Sequence, residues 1–326
     1  MVCAIHFLGT HNAGPLPEIL RDIAVHVFHG VPVFFVISGF VLPLAMSRAA
    51  YRISDFPRFV LKRALRLEPP YLVSIALALI LGVAGSMTPG FGGPRFSIDW
   101  FGLLAHVGYI VPFVGKDWIV GVYWTLLIQA QFYLLIGLTY PLLRRWPMAW
   151  TLTLLVPCAL ATGWNSLAYH LPIFLIGTAA FAWREKWITP GQVAMLWIVT
   201  TIVLSSYQGP GPGILALLAA AFILWAHPKS RALLFIGTIS YSLYLVYLPI
   251  GRRAISLVLR FLPGTSGALA AAGIALALAI VAAWLMWRFV ERPSLAWAGR
   301  VLPAVTKPEK DARDQPTRIS DEFASR

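Results

Sequence analysis

Arg63 and Arg66 stand in the most basic stretch of the chain, Arg48 to Arg66, directly after the uncharged run Val31 to Met46. On a helix, a spacing of three brings both guanidinium groups to one face. There they can grip phosphate oxygens two at a time. Arginines at the inner boundary of a membrane span also have a plainer use, since they satisfy the positive-inside bias and meet anionic lipid. Arg58 and Lys62 are assigned to that use. His6 is the second group with chemical reach: a neutral imidazole near pH 7 can take a proton from a hydroxyl. Its bland alternative is a polar residue at a helix end near the outer interface. His11, His26 and His29 are of the same type and are assigned to the interface or to substrate contacts.

Gln129 and Gln131, two residues apart, are expected on different faces of one helix. Each buried amide needs a partner, supplied either by an interhelical hydrogen bond or by a substrate. Trp124 and Tyr133 flank them, and Ser240, Tyr241 and Tyr244 offer hydroxyls further along, with Ser242 assigned to packing. Cys3 and Cys158 lie in apolar segments with no His or Cys at metal-ligand spacing, which suggests neither a zinc site nor a disulfide framework.

The elements that must position these groups are membrane helices. A chain of 326 residues that is 59% hydrophobic and 12% charged, with mean hydropathy +0.75, has more apolar surface than a soluble core of its size can hide. The net charge of +13 does not point to nucleic acid, because the basic residues fall between apolar spans and in the tail instead of on one folded face. Apolar runs at 25–46, 69–86, 122–143, 149–164, 168–183, 191–206, 213–226, 233–250 and 268–290 predict nine spans, and residues 1–9 resemble the second half of another helix. Placing the loop 47–68 in the cytoplasm puts most Lys and Arg inside, and with them the C-terminus. The dissenting cluster is Arg252, Arg253 and Arg260, expected outside, at a polar cavity or at headgroups. Asp99 to Trp118 reads as an interfacial helix over a cavity. Residues 1–300 form the membrane domain, and 301–326 a charged, disordered cytoplasmic tail.

Five pieces in this order resemble the acyltransferase 3 family of polytopic bacterial membrane acyltransferases. They are GVPVFFVISGF (Gly30 to Phe40), RALRLEPPYL (Arg63 to Leu72), YWTLLIQAQFYL (Tyr123 to Leu134), GTISYSLYLVYLPI (Gly237 to Ile250) and FVERP (Phe289 to Pro293). The resemblance implies an all-α bundle of about ten membrane helices in the bacterial inner membrane. It also implies acetyl-CoA or another acyl-CoA as cytoplasmic donor, a hydroxyl acceptor on an envelope or exported glycan or glycolipid, and no resident cofactor. The family's first helix carries an Arg upstream of a His thought to be catalytic. His6 takes the place of that His, and the partner Arg would precede Met1, so a start called too late is expected. By the same resemblance Arg63 and Arg66 hold the donor, and Trp124, Gln129, Gln131, Tyr133, Ser240, Tyr241 and Tyr244 contact substrates.

Two positions depart from the pattern. Gln129 stands where the family has Glu, and an amide cannot exchange a proton; Tyr247 stands where a His is usual. Glu291 is assigned a structural role, paired with Arg288 or Arg292. Two other readings remain open: a transporter or flippase, for which inverted repeats would speak, and an inactive, ligand-binding relative.

Overall fold

The computed structural model describes residues 2–8, 30–87, 98–161, 163–226 and 230–301. His11, His26, His29 and the tail 302–326 lie outside the described residues. The described chain is helical, with no strand. In order come α1 (Val2–Leu8), α2 (Gly30–Arg48), α3 (Phe56–Ser86), α4 (Trp100–Val107), α5 (Trp124–Arg145) and α6 (Pro147–Ala159). They are followed by α7 (Leu167–Arg184), α8 (Pro190–Gln208), α9 (Pro210–Trp225), α10 (Arg231–Phe261), α11 (Thr265–Met286) and α12 (Arg292–Val301). Within the described residues, each of the nine expected spans overlaps one of these helices. Six stretches of the described residues are long and apolar enough to cross a membrane. Ile80, Leu138, Ile198, Ile202 and Val281 stay exposed on them, as lipid-facing positions do and as a soluble protein could not tolerate in such number. This is a multi-pass membrane protein.

Two apolar clusters organise the bundle. One joins α2, α5, α6, α7, α8 and α9; the other joins α1, α3, α10, α11 and the segment leading into α5. In the first, α7 is buried continuously from His170 to Ala182. Its approach to α2 depends on two glycines: a Cβ on Gly39 would collide with the Phe174 carbonyl, and one on Gly177 with that of Val36. Small residues let membrane helices pack this closely because van der Waals contact and hydrogen bonds have to hold helices together where the solvent is lipid. Thr178 Oγ1 donates to the Gly39 carbonyl across this contact at 3.0 Å.

Three boundaries correct the sequence reading. The basic stretch 47–68, expected as a loop, is mostly helix: α3 begins at Phe56 and runs unbroken through Pro69 and Pro70. Prolines cost a helix two internal bonds, and in membrane bundles a neighbouring helix can re-satisfy the freed region. The carbonyls freed here are those of Leu65 and Arg66; Tyr241 of α10 reaches the same turn, donating to the neighbouring Leu67 carbonyl at 2.8 Å. The span expected at 233–250 likewise continues to Phe261, so Arg252, Arg253 and Arg260 are helical residues of α10. Within Asp99 to Trp118, only Trp100–Val107 is α-helical, followed by a 3-10 turn at Val111–Val114.

Phe7 anchors α1 to α10. Its ring is buried against Gly251, where a Cβ would overlap it. A single turn of π-helix, Trp287–Glu291, joins α11 to α12 and turns the Glu291 carboxylate inward; such single turns recur at functional sites.

Candidate functional site

At the seam between the two clusters, α2, α3, α5 and α10 enclose a cavity of about 240 Å³. Arg63, Arg66, Gln129, Tyr133, Ser240, Tyr241 and Tyr244 all line it, joined by Ser38 and Thr125. Most of the expected site residues thus converge from three distant parts of the sequence. Arg63 lies over the rings of Phe59 and Tyr133, 5.5 and 5.4 Å from their centroids, which fixes its planar head against aromatic faces. Gln129 accepts a hydrogen bond from Ser38 Oγ at 3.1 Å, while its Nε2, like Nε of Arg66, is buried with no partner among the described residues. An unsatisfied buried donor costs about 1–3 kcal/mol, and a bound acceptor oxygen would remove that cost.

Arg63 and Arg66 also line a second cavity, of about 370 Å³, together with Arg48, Arg58, Lys62 and Asp55. Five cations and one carboxylate therefore face a chamber that meets the apolar one through this arginine pair. Sequence reasoning gave Arg58 and Lys62 to topology alone. The signal that would have enlisted them was their spacing: Arg58, Lys62 and Arg66 follow one another at four residues, along one helical face.

Two expected substrate contacts lie elsewhere. Gln131, about 200° around the helix from Gln129, accepts from the backbone N–H of Leu167 at 2.7 Å and so caps the start of α7. Trp124 packs among Phe35, Trp164 and His170 with ring centroids 5.0–6.4 Å apart. Ser240 lines the cavity while its hydroxyl donates to the Gly237 carbonyl at 2.8 Å. Glu291 has neither arginine as partner: it is buried and accepts from Ser242 Oγ at 2.6 Å, whereas Arg288 and Arg292 lie over Phe289 and Trp287. Glu68, which sequence reasoning passed over, has a buried carboxylate oxygen with no partner among the described residues.

His6 is not in the arginine cavity. It lines a third, of about 380 Å³, with Leu81, Gly82, Ile119, Arg252 and Arg253. On three separate elements the lining residues split into two groups around one buried band. Along α3, Arg63 to Leu67 face the first cavity and Ala78 to Gly82 the third; along α10 the division falls between Tyr244 and Leu248; near α5, between Val120 and Thr125. The band between them holds Tyr71, Tyr123 and Tyr247, all fully buried. Tyr71 and Tyr123 have centroids 5.1 Å apart, the Tyr123 hydroxyl bonds Ser74 Oγ at 2.8 Å, and Tyr247 lies between His6 (5.7 Å) and Tyr244 (6.1 Å). The hydroxyls of Tyr71 and Tyr247 have no partner among the described residues.

Outside the spans, His106 bonds the backbone of Ile119, which lines the third cavity. Its Nδ1 donates to the Gly102 carbonyl at 2.7 Å and its Nε2 accepts from the Ile119 N–H at 3.1 Å, an arrangement that needs the neutral ring. Burial lowers its pKa from the ordinary histidine value. Lys116, at 2.9 Å, and the Gly102 N–H hold Asp99 below the usual carboxylate range. No group of His, Cys, Asp and Glu suited to a metal ion occurs among the described residues.

The chain is thus a polytopic membrane helix bundle with a basic chamber, an adjoining apolar chamber and a histidine behind a tyrosine band. The family model described as "Acyltransferase domain" matches residues 1–288, and the chain belongs to that family, acyltransferase 3. It is 26% identical to acyltransferase MdmB of Streptomyces mycarofaciens over 345 aligned residues, covering 88% of this chain and 85% of that protein. It is 31% identical to nodulation protein 10 of Rhizobium leguminosarum bv. viciae over 156 residues, 44% of this chain. The match spans 41% of that relative's length. No solved structure matches the chain.

Proposed function

We propose that this chain is an O-acyltransferase of the bacterial inner membrane. It would move an acyl group, acetyl in the simplest case, from cytoplasmic acyl-CoA to a hydroxyl of an envelope or exported glycan or glycolipid. The observation that carries this reading is the shared arginine pair: Arg63 and Arg66 face both the basic chamber and the apolar one. A CoA thioester has that same division, with phosphates at one end and an acylated arm at the other. In this reading Arg48, Arg58 and Lys62 meet the phosphates. Arg63 and Arg66 hold the diphosphate at the junction, and the arm extends along Ser38, Gln129 and Tyr244.

Acyl transfer forms a C–O bond as the acceptor hydroxyl attacks the thioester carbonyl, and it breaks the C–S bond. The hydroxyl proton passes to a base, and the departing thiolate takes a proton in turn. Two side chains can take part. The Nε2 donor of Gln129 is available to hold the thioester carbonyl while the arm lies in the donor chamber, a role in which an amide can serve where the family has Glu. His6 serves as base from the neighbouring cavity. Because Tyr247 stands between His6 and the donor chamber, the acyl end must pass the tyrosine band to react. Direct transfer and an acyl-histidine relay both satisfy this order. Family membership and the acyltransferase relative covering most of the chain support the reading.

The test is kinetic. Purified protein given labelled acetyl-CoA should transfer or slowly hydrolyse it, and His6→Ala should abolish transfer. Arg63→Glu with Arg66→Glu should raise KM for the donor at least tenfold without loss of membrane insertion. Donor dependence unaltered by that double charge reversal would defeat the proposal, and a transporter would consume no donor at all.

A further inference from the structure

The donor reading leaves Arg252 and Arg253 unused. Both belong to α10, one turn beyond Pro249, and both line the cavity that holds His6. Adjacent helical residues project about 100° apart, yet these two reach one chamber. For Arg253 the reason is visible: its guanidinium lies on α3 at Gly85, where a Cβ would collide with it. The side chain therefore runs along the neighbouring helix instead of extending away from the bundle. Of the remaining walls, Ala78, Leu81, Val120 and Ile255 are apolar and Ser256 adds a hydroxyl.

Two exposed guanidinium groups that line one chamber, next to a histidine, suit a phosphate or carboxylate attached to something larger. Their planar donor forks match the paired oxygens of either group. The donor's phosphates are not the occupant under the reading above. They are met at the opposite end of α3, where Arg66 precedes Leu81 by fifteen residues, or ~22 Å of helix. We propose that the acceptor is an anionic molecule, whose phosphate or carboxylate seats on Arg252 and Arg253 while its hydroxyl faces His6. This rests on the acyltransferase reading and on His6 as its base. The anion could belong to a lipid carrier that bears the glycan on a phosphate, or to an acidic sugar of the glycan itself.

The test measures binding to the detergent-solubilised full chain with four probes: farnesyl phosphate, uncharged farnesol, glucuronate and acetyl-CoA. Farnesyl phosphate or glucuronate should bind, and bind at least tenfold more weakly to the Arg252→Gln/Arg253→Gln variant. The paired lysine variant, which keeps charge and loses the fork, should fall between. Farnesol should bind weakly and equally to all three forms, and acetyl-CoA affinity should move less than twofold. Preference for farnesyl phosphate would assign the anion to a lipid carrier, and preference for glucuronate would assign it to an acidic sugar. The proposal is overturned if neither anion binds, if the glutamine variant binds both as well as wild type, or if acetyl-CoA affinity falls in parallel. Transfer surviving His6→Ala would sink the base reading while leaving these affinities intact, so the two failures can be told apart.

Discussion

The phenol ring of Tyr247 lies 5.7 Å, centroid to centroid, from the imidazole of His6, and its hydroxyl has no partner among the described residues. The band of which it is part divides the histidine cavity from the arginine cavity, so the ring acts as the partition across which an acyl group would have to travel. Removing the ring and removing only the hydroxyl then have different consequences.

Tyr247→Phe deletes an unsatisfied buried hydroxyl and keeps the ring, so the melting temperature should hold or rise. Tyr247→Ala removes a fully buried aromatic, at a cost of about 3–5 kcal/mol for a change of this class. In a form that still folds, it should raise acceptor-independent hydrolysis of acetyl-CoA relative to transfer. Thermal unfolding together with the ratio of free acetate to acetylated product checks both outcomes, and an unchanged ratio would count against a partition.

Gly251 sets the position of the histidine through Phe7. A Cβ there overlaps the Phe7 ring, and His6 precedes it on the same short helix. Gly251→Ala should therefore lower transfer at least tenfold while leaving acetyl-CoA affinity within twofold. Combining it with Phe7→Leu should recover part of the loss, the coupling expected of side chains in contact. Additive losses in the double-mutant cycle would show that the two positions act independently.

Gln129→Glu restores the residue usual in the family at the price of a donor. The new carboxylate can still accept from Ser38, but it brings a negative charge into a cavity that also holds Arg63 and Arg66. It would compete with phosphate for them, and acetyl-CoA affinity should drop about tenfold, or 1.4 kcal/mol. Isothermal titration of the two forms measures this; tighter donor binding by the variant would reverse the assignment of the amide.

The His106 clamp predicts an acid-sensitive loop. Folding favours the neutral ring and lowers its pKa, so below the ordinary histidine value of about 6.5 the unfolded chain binds more protons than the folded one. Stability conferred by the clamp is therefore complete above that value. It is lost as pH falls from there through the folded pKa. Asp99, also lowered, contributes above the usual carboxylate range and loses its contribution only as pH falls through its folded value, in a more acidic window. Thermal unfolding between pH 7.5 and 5 should decline in wild type and flatten in His106→Gln. Parallel curves for the two proteins would mean that the ring is not the sensor.

Helix positions were legible in the sequence because lipid imposes a local rule. A span must be apolar for a set length and must satisfy its own backbone, so each run from 25–46 to 268–290 could be read without knowing its neighbours. The opposite faces of Gln129 and Gln131 were legible for the same reason, since 3.6 residues per turn is a property of one helix. Where the reading fell short, the neighbour decided. Pro69 and Pro70 look like a helix start, yet Tyr241, more than 170 positions later, bonds the Leu67 carbonyl beside them and α3 runs through.

Residue types and spacing marked Arg63 and Arg66 as groups with chemical reach, the family resemblance added His6, and the apolar pattern placed all three on helices. Tertiary structure decided how these groups are grouped: the arginine pair serves two chambers, while His6 shares a third with Arg252 and Arg253. The reason is that helix pairing in lipid depends on close contacts between distant small residues and their neighbours, such as Gly39 with Phe174 and Gly251 with Phe7. No local pattern encodes which helix will supply the facing surface.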